Sequence, residues 1–321
     1  MTTKDQPEPM PRRPKPDPLH FQRRWLAPDY WPIWVLVGFM WSLAHLPWRW
    51  QMAFGAGIGH LLYYLVPGRR QVAETNIARV FPERSATEQR RLVQAVFAET
   101  GKGLPETCVA WFGHPGRLNV EWQVENLELV RQALEAGTGA LFVGAHFSCI
   151  DVCGSYISRQ VPFDALHRPH DNPLLNWFQH RGRLRAVNAL IDRRDMRGMV
   201  RRLHQGHAIF YAPDQDLGRK RSVFIPFFGI PTATVPATSR LVSLSGAQPF
   251  LVMNHRTATG YRIRFEAAPQ IGTGDVERDL QAYHHWLEAR IREYPAQYLW
   301  LHKRFKTRPP GEPPFYPGGN R

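Results

Sequence analysis

Two uncharged, aromatic-rich runs, Trp31–Leu46 and Trp50–Val66, dominate the start of the chain. They are 16 and 17 residues long and are separated by Pro47 and Arg49. That length sits at or just under the lower limit for a bilayer-spanning helix, about 17 residues. Tryptophans bunch at their ends, and Arg23, Arg24, Arg69 and Arg70 flank the pair. Interfacial aromatics and flanking arginines are the pattern of a segment anchored from the cytoplasmic side. Residues 25–70 therefore read as an amino-terminal membrane-anchoring helical segment, spanning, re-entrant or interfacial.

Beyond Arg70 the pattern becomes that of a water-soluble domain. Gln71–Val80, Thr87–Gly103, Leu127–Glu135, Ser148–Ser158 and Arg278–Glu293 have helical apolar spacing. Gly139–Ala145, Ala208–Ala212, Gln248–Met253 and Tyr261–Phe265 are short apolar runs that read as strands. Alternation of the two predicts an α/β fold with a central, mostly parallel sheet flanked by helices. No internal repeat is visible. Residues 71–309 form the expected catalytic domain. Residues 1–24, with six prolines among the first 20, and the proline-rich 310–321 are expected to be disordered tails.

Charge and cysteine content narrow the class. A mean hydropathy of −0.39 excludes a polytopic membrane protein. The net charge of +14 calls for anionic partners: acidic lipid headgroups, an acidic carrier protein or nucleic acid. Nucleic acid is the weakest of these, because the arginine-dense stretch Arg181–Arg202 lies in no helix-turn-helix, RNA-recognition or zinc-finger signature. Cys108, Cys149 and Cys153 have no zinc spacing and suggest no disulfide framework.

The chemistry concentrates at Gly144-Ala145-His146-Phe147-Ser148-Cys149-Ile150-Asp151, a strand-to-helix junction. With His146 on the turn and Asp151 in the first helical turn, the carboxylate can reach back to orient an imidazole acting as general base. Ser148-x-x-Asp151 can equally be a capping box, leaving Asp151 a helix cap. A Ser148 or Cys149 hydrolase is disfavoured, since no G-x-S-x-G elbow is present.

Downstream stand Ile191-Asp192-Arg193, Tyr211-Ala-Pro-Asp214-Gln-Asp216-x-Gly218 and the apolar Pro249–Val252. With His146-x-x-x-x-Asp151, these four ordered blocks resemble the glycerolipid acyltransferase superfamily. Asn76, Phe81-Pro82, Glu106-Thr107, Ala110-Trp111-Phe112, Asn172-Pro173 and Pro295-x-Gln297-Tyr298-x-Trp300-x-His302-x-Arg304-Phe305-Lys306 narrow it. They are similar to the late acyltransferases of lipid A biosynthesis, in particular the lauroyl-transferring members that use Kdo2-lipid IVA. Many members carry glutamate at the position of Asp151, and the superfamily accepts either.

The resemblance covers roughly Tyr30 to Pro309 and implies an inner-membrane enzyme with its catalytic domain on the cytoplasmic side. It implies that His146, paired with Asp151, deprotonates a 3-hydroxyl on an acyl chain of a lipid A precursor. The oxygen then attacks an acyl carrier protein thioester, with no cofactor, metal or covalent enzyme intermediate. Arg168 and Arg193 would hold substrate phosphates or carboxylates. Asp214 and Asp216, of the wrong sign for that, would position those arginines or a sugar hydroxyl. A sibling enzyme acting on a glycerophospholipid or a mannosylated inositol lipid would use the same chemistry on a different acceptor.

Overall fold

A computed structural model describes residues 20–317. The two aromatic runs form α1 (Trp31–Ala44) and α2 (Trp48–Leu65), and α3 (Pro67–Val80) follows. α4 (Ala86–Phe112) begins at a reciprocal cap: the Ser85 N–H donates to Glu88 Oε2 at 2.8 Å, and Glu88 N–H donates back to Ser85 Oγ.

α2 is spent on packing against α4. Gly55 and Gly59 on α2 meet Gly101 on α4 so closely that a Cβ on Gly59 would lie 2.1 Å from the Phe97 carbonyl oxygen. α1 and α2 leave large apolar side chains uncovered: Val35 on α1 is 73% exposed, and Trp50 and Tyr64 on α2 are 71% and 68% exposed. Among the described residues, no helix is long and apolar enough to cross a membrane. The expectation of a transmembrane helix is not met there, and what stands in its place is two helices, α1 and α2, packed on α4 with apolar side chains left exposed.

The rest alternates strands and helices. In chain order they are β1 (Glu121–Glu125), α5 (Leu127–Glu135), β2 (Ala140–Val143), α6 (Ile150–Ile157), β3 (Asp164–His167) and α7 (Pro173–Leu184). Then come β4 (Ala189–Asp192), α8 (Met196–His204), β5 (Ala208–Tyr211), the hairpin β6 (Val223–Phe227) and β7 (Ile230–Thr234), and α9 (Ala237–Ser245). β8 (Gln248–Arg256), β9 (Gly260–Ala267) and α10 (Val276–Glu293) complete the chain of elements.

Seven strands form one sheet in the order β1-β9-β8-β2-β5-β3-β4, parallel throughout except for the β8/β9 pair. The mostly parallel α/β architecture is as expected. β2 lies at the centre with every residue buried, and two apolar layers cover the two faces of the sheet.

Two registers matter for function. Val143 of β2 pairs with Tyr211 of β5, and His167 of β3 pairs with Asp192 of β4. Residues at equal distances beyond these pairs emerge side by side at the carboxyl edge of the sheet, where open α/β sheets bind ligands.

The expected tails are handled differently by the structure. Most of the amino-terminal tail, residues 1–19, lies outside the described residues. At the other end, Tyr316 is buried and donates its hydroxyl proton to Asn76 Oδ1 at 2.7 Å. Tyr316 thus ties this end of the described chain to α3.

Candidate active site

His146 lies three residues beyond Val143, and Asp214 three residues beyond Tyr211. The parallel register therefore brings them together although they are 68 positions apart in the chain. Asp214 Oδ1 is 2.6 Å from His146 Nδ1, and its Oδ2 accepts the His146 backbone N–H at 2.9 Å. Both carboxylate oxygens thus contact His146, and the buried Tyr298 hydroxyl also hydrogen-bonds the carboxylate. The pairing assigns the ring proton to Nδ1 and leaves Nε2 as the basic nitrogen, in the cavity that His146 lines.

Burial would push the His146 pKa down, but the charge and hydrogen bond of Asp214, helped by Asp151, outweigh it and raise the pKa above its ordinary 6.5. Burial would likewise raise the Asp214 pKa, yet His146 and the Arg304 guanidinium hold it below the usual carboxylate range. A fully buried carboxylate kept ionised against an imidazole stabilises the imidazolium formed on proton uptake.

Asp151, expected to hold the ring, is turned elsewhere. It accepts the Thr107 hydroxyl at 2.9 Å and pairs with Arg183 at 3.7 Å. Its influence on His146 is through space. The physical reason is direction. In the first turn of α6 its side chain runs toward α4 and α7, while the ring is drawn to the loop after β5. The alternative capping-box reading also fails, since Cys149 is the N-cap residue and makes no side-chain cap. Ser148 Oγ instead accepts from Arg256 at 3.2 Å, and Cys149 Sγ, fully buried, accepts from Asn254 at 3.4 Å.

Asp216 does not approach the arginines either. Its carboxylate accepts the Gly218 and Thr307 N–H groups and the Thr307 hydroxyl, each at 2.8 Å. It staples the Asp214 loop to the carboxyl-terminal segment. His302 Nε2 accepts the Asp216 N–H at 3.1 Å, and buried Arg304 donates to the Ala233 carbonyl at 2.7 Å. The carboxyl-terminal motif is the floor on which Asp214 rests.

In front of His146 opens a cavity of about 570 Å³. Its lining is largely hydrocarbon, with Phe142, Phe210, Val252, Ile263 and Phe265 on the sheet and Phe163 just ahead of β3. Gly144 keeps the passage beside Phe210 open: a Cβ there would come within 2.6 Å of the ring.

The mouth is cationic. Arg168 and Arg193 follow the paired His167 and Asp192 by one residue each, so they emerge together, and both line it. Arg183, Arg194 and Arg221 join them. Sequence reasoning missed Thr107 and Arg183 as site residues. The Glu106-Thr107 pair carried a signal for the first, whereas Arg183 was hidden in a generally basic stretch. Among the described residues, no group of three His, Cys, Asp or Glu side chains is placed to hold a metal.

A narrow hydrocarbon slot, a histidine base backed by a buried carboxylate and an arginine-lined rim together suit acyl transfer to an anionic amphiphile. The comparisons agree. Residues 19–307 match the family described as bacterial lipid A biosynthesis acyltransferase. The lipid A biosynthesis palmitoleoyltransferase of Escherichia coli K12 is 37% identical over 300 residues, 92% of this chain and 98% of that protein. The lauroyltransferase of the same organism is 36% identical over 303 residues, again 92% and 98%. Its myristoyltransferase is 26% identical over 304 residues, 91% and 92%. This chain belongs to the bacterial lipid A biosynthesis acyltransferases.

Proposed function

We propose that the enzyme transfers a fatty acyl chain, lauroyl or of similar length, from acyl carrier protein to a 3-hydroxyl of an acyl chain on Kdo2-lipid IVA. The observation that carries this reading is the His146–Asp214 pair at the junction of an apolar slot and a cationic rim. His146 Nε2 takes the proton of the acceptor hydroxyl as its oxygen attacks the thioester carbonyl carbon. Collapse of the tetrahedral adduct breaks the C–S bond, and the imidazolium returns its proton to the departing thiolate sulfur. Asp214 holds the tautomer and balances the imidazolium charge throughout. Asp151 fixes Arg183 at the rim and adds a second negative charge near the ring.

The apolar slot suits the donor chain, and the rim arginines suit the phosphates and carboxylates of the acceptor, to which guanidinium groups bind in fork geometry. The exposed apolar side chains of α1 and α2 would seat the enzyme on the cytoplasmic side of the inner membrane, with the aromatic ones at headgroup level.

The test is incubation of purified enzyme with Kdo2-lipid IVA and a series of acyl carrier protein thioesters, followed by mass spectrometry. A penta-acylated product from the lauroyl thioester, formed by wild type and not by His146→Ala, is expected. Acylation of a glycerophospholipid or mannosylated inositol lipid in preference to Kdo2-lipid IVA would transfer the reading to a sibling acceptor.

A further inference from the structure

The helix that walls the cavity carries a glycine that the fold does not require. Ile150, Cys153, Gly154 and Ile157 of α6 all line the cavity, and their spacing of three to four residues puts them on one face of the helix. Glycine inside a helix is destabilising relative to alanine, so its presence calls for a reason.

Elsewhere the reason is close approach. At Gly55, Gly59, Gly101, Gly103, Gly182 and Gly198, the other helical glycines not exposed at the surface, a Cβ would lie 2.7 Å or less from another atom. Gly154 is different. Its backbone is ordinary helix, and a Cβ would meet only the Phe163 ring, at 3.8 Å, a normal van der Waals contact. Among the described residues it is the one glycine that lines the cavity. The volume its missing side chain leaves is therefore cavity volume.

The course of α6 fixes where that volume lies. The helix begins at the carboxyl edge of the sheet, where Asp151 meets Arg183 at the mouth, and runs back toward the amino edge. Gly154 stands one turn in from Asp151, about 4.5 Å along the axis, and Ile157 a turn further. Phe163, immediately before β3, marks that amino edge. Its buried ring lies edge-on to Phe142 at 5.8 Å and tilted against Phe210 at 6.3 Å. Gly154 and Phe163 thus face each other in the inner part of the slot, away from His146.

We propose that Gly154 and Phe163 set the length of the acyl chain that the enzyme transfers, the methyl end of the chain filling the space beside Gly154 and stopping against the Phe163 ring. The proposal rests on the reading of the slot as the donor's site. Hydrocarbon pockets discriminate steeply, one methylene changing kcat/KM by about 10–200-fold. A side chain at position 154 would move the limit to shorter chains, and a smaller one at position 163 would move it to longer chains.

The experiment offers wild type, Gly154→Ala, Gly154→Leu and Phe163→Leu an equimolar mixture of decanoyl, lauroyl, myristoyl and palmitoyl acyl carrier protein with Kdo2-lipid IVA. Product ratios, read by mass spectrometry, report relative kcat/KM, so a uniform change in rate drops out. Gly154→Leu is expected to lower the ratio of longer-chain to shorter-chain products at least about tenfold. Gly154→Ala should shift it the same way by about threefold, and should melt at or above the wild-type temperature because a helical glycine is replaced. Phe163→Leu should raise the ratio. Unchanged ratios in both Gly154 variants, or in Phe163→Leu, would overturn the proposal.

A second readout needs no turnover. Decanoate and myristate at equal concentration should both raise the melting temperature of wild type, myristate more, and in Gly154→Leu that order should reverse. The same order in both proteins overturns the proposal. A wild type that transfers nothing to Kdo2-lipid IVA but shows the reversal would locate the failure in the proposed reaction and leave the role of Gly154 standing.

Discussion

Replacing Asp214 by Asn keeps the shape of the buried side chain but leaves one oxygen where two are used. The His146 backbone N–H is a fixed donor, 2.9 Å from Oδ2, and the ring nitrogen Nδ1 lies 2.6 Å from Oδ1. An asparagine can present its oxygen to only one of them. The backbone donor cannot change, so the amide NH₂ group is forced toward Nδ1, and the ring adapts by moving its proton to Nε2. The lone pair then sits on the wrong nitrogen, facing away from substrate. General-base catalysis contributes about 10²–10⁴-fold, and Asp214→Asn should lose roughly 10²–10³ of it in kcat, with acceptor KM nearly unchanged. Asp151→Asn loses only a partly exposed pair with Arg183 and a through-space charge, so a drop of about tenfold or less is expected. The sign of the pH effect follows from the raised pKa of His146. The base works when neutral, so wild-type activity should climb with pH through a midpoint above 6.5, and Asp214→Asn should move that limb to lower pH. Steady-state transfer from lauroyl carrier protein across pH 5–9, with circular dichroism to confirm folding, measures both. An Asp151→Asn loss equal to or larger than that of Asp214→Asn, or an acid limb moved upward in Asp214→Asn, would show that Asp214 is not the residue that orients the base.

Arg168→Ala and Arg193→Ala should each raise acceptor KM at least about tenfold and leave donor KM alone, the loss expected of one charge-assisted hydrogen bond; an acceptor lacking one phosphate should narrow the gap for one of the two variants. Trp50→Glu and Val35→Glu, at exposed positions of α2 and α1, should weaken sedimentation with vesicles of anionic phospholipid without lowering the melting temperature; vesicle binding as tight as wild type would remove the membrane role from these side chains. Arg256 donates to Glu106 through Nε at 2.6 Å and Nη2 at 2.7 Å in a buried cluster that also holds Glu99 and the Tyr261 hydroxyl. Arg256→Met should destabilise by about 3–5 kcal/mol in urea unfolding, and adding Glu106→Gln should recover part of it, since the main penalty is an unpaired buried carboxylate; a loss under about 1 kcal/mol would contradict this.

What the sequence disclosed follows from the range over which each feature is decided. Leu127–Glu135 was legible to the residue because an amphipathic helix carries its own period, and β2 and β5 were legible because apolar runs in a parallel sheet mark themselves. β3 and β4 were not: each is four residues long with an acid at one end, and pairing with a neighbour defines it more than composition does. α1 and α2 were read correctly as helices and as apolar, but a helix can be apolar for two reasons. Gly55, Gly59 and Gly101 carried the other signal, that one side of α2 is consumed by α4. The site shows the same division. His146 was singled out by its motif, Arg193 by the apolar segment it ends and Arg168 by the proline that follows it. The orienting carboxylate was sought in the chain neighbour, Asp151, when contact between strands is set by register. Val143 and Tyr211 end two adjacent parallel strands, and a histidine and an aspartate stand three places beyond them. Arg168 and Arg193 obey the same rule at one place beyond His167 and Asp192. In a parallel sheet, residues at equal offsets past paired strand ends are neighbours whatever their separation in sequence. The strand ends of the chain therefore contained both the base pair and the anion rim once the pairing β2–β5 and β3–β4 was known.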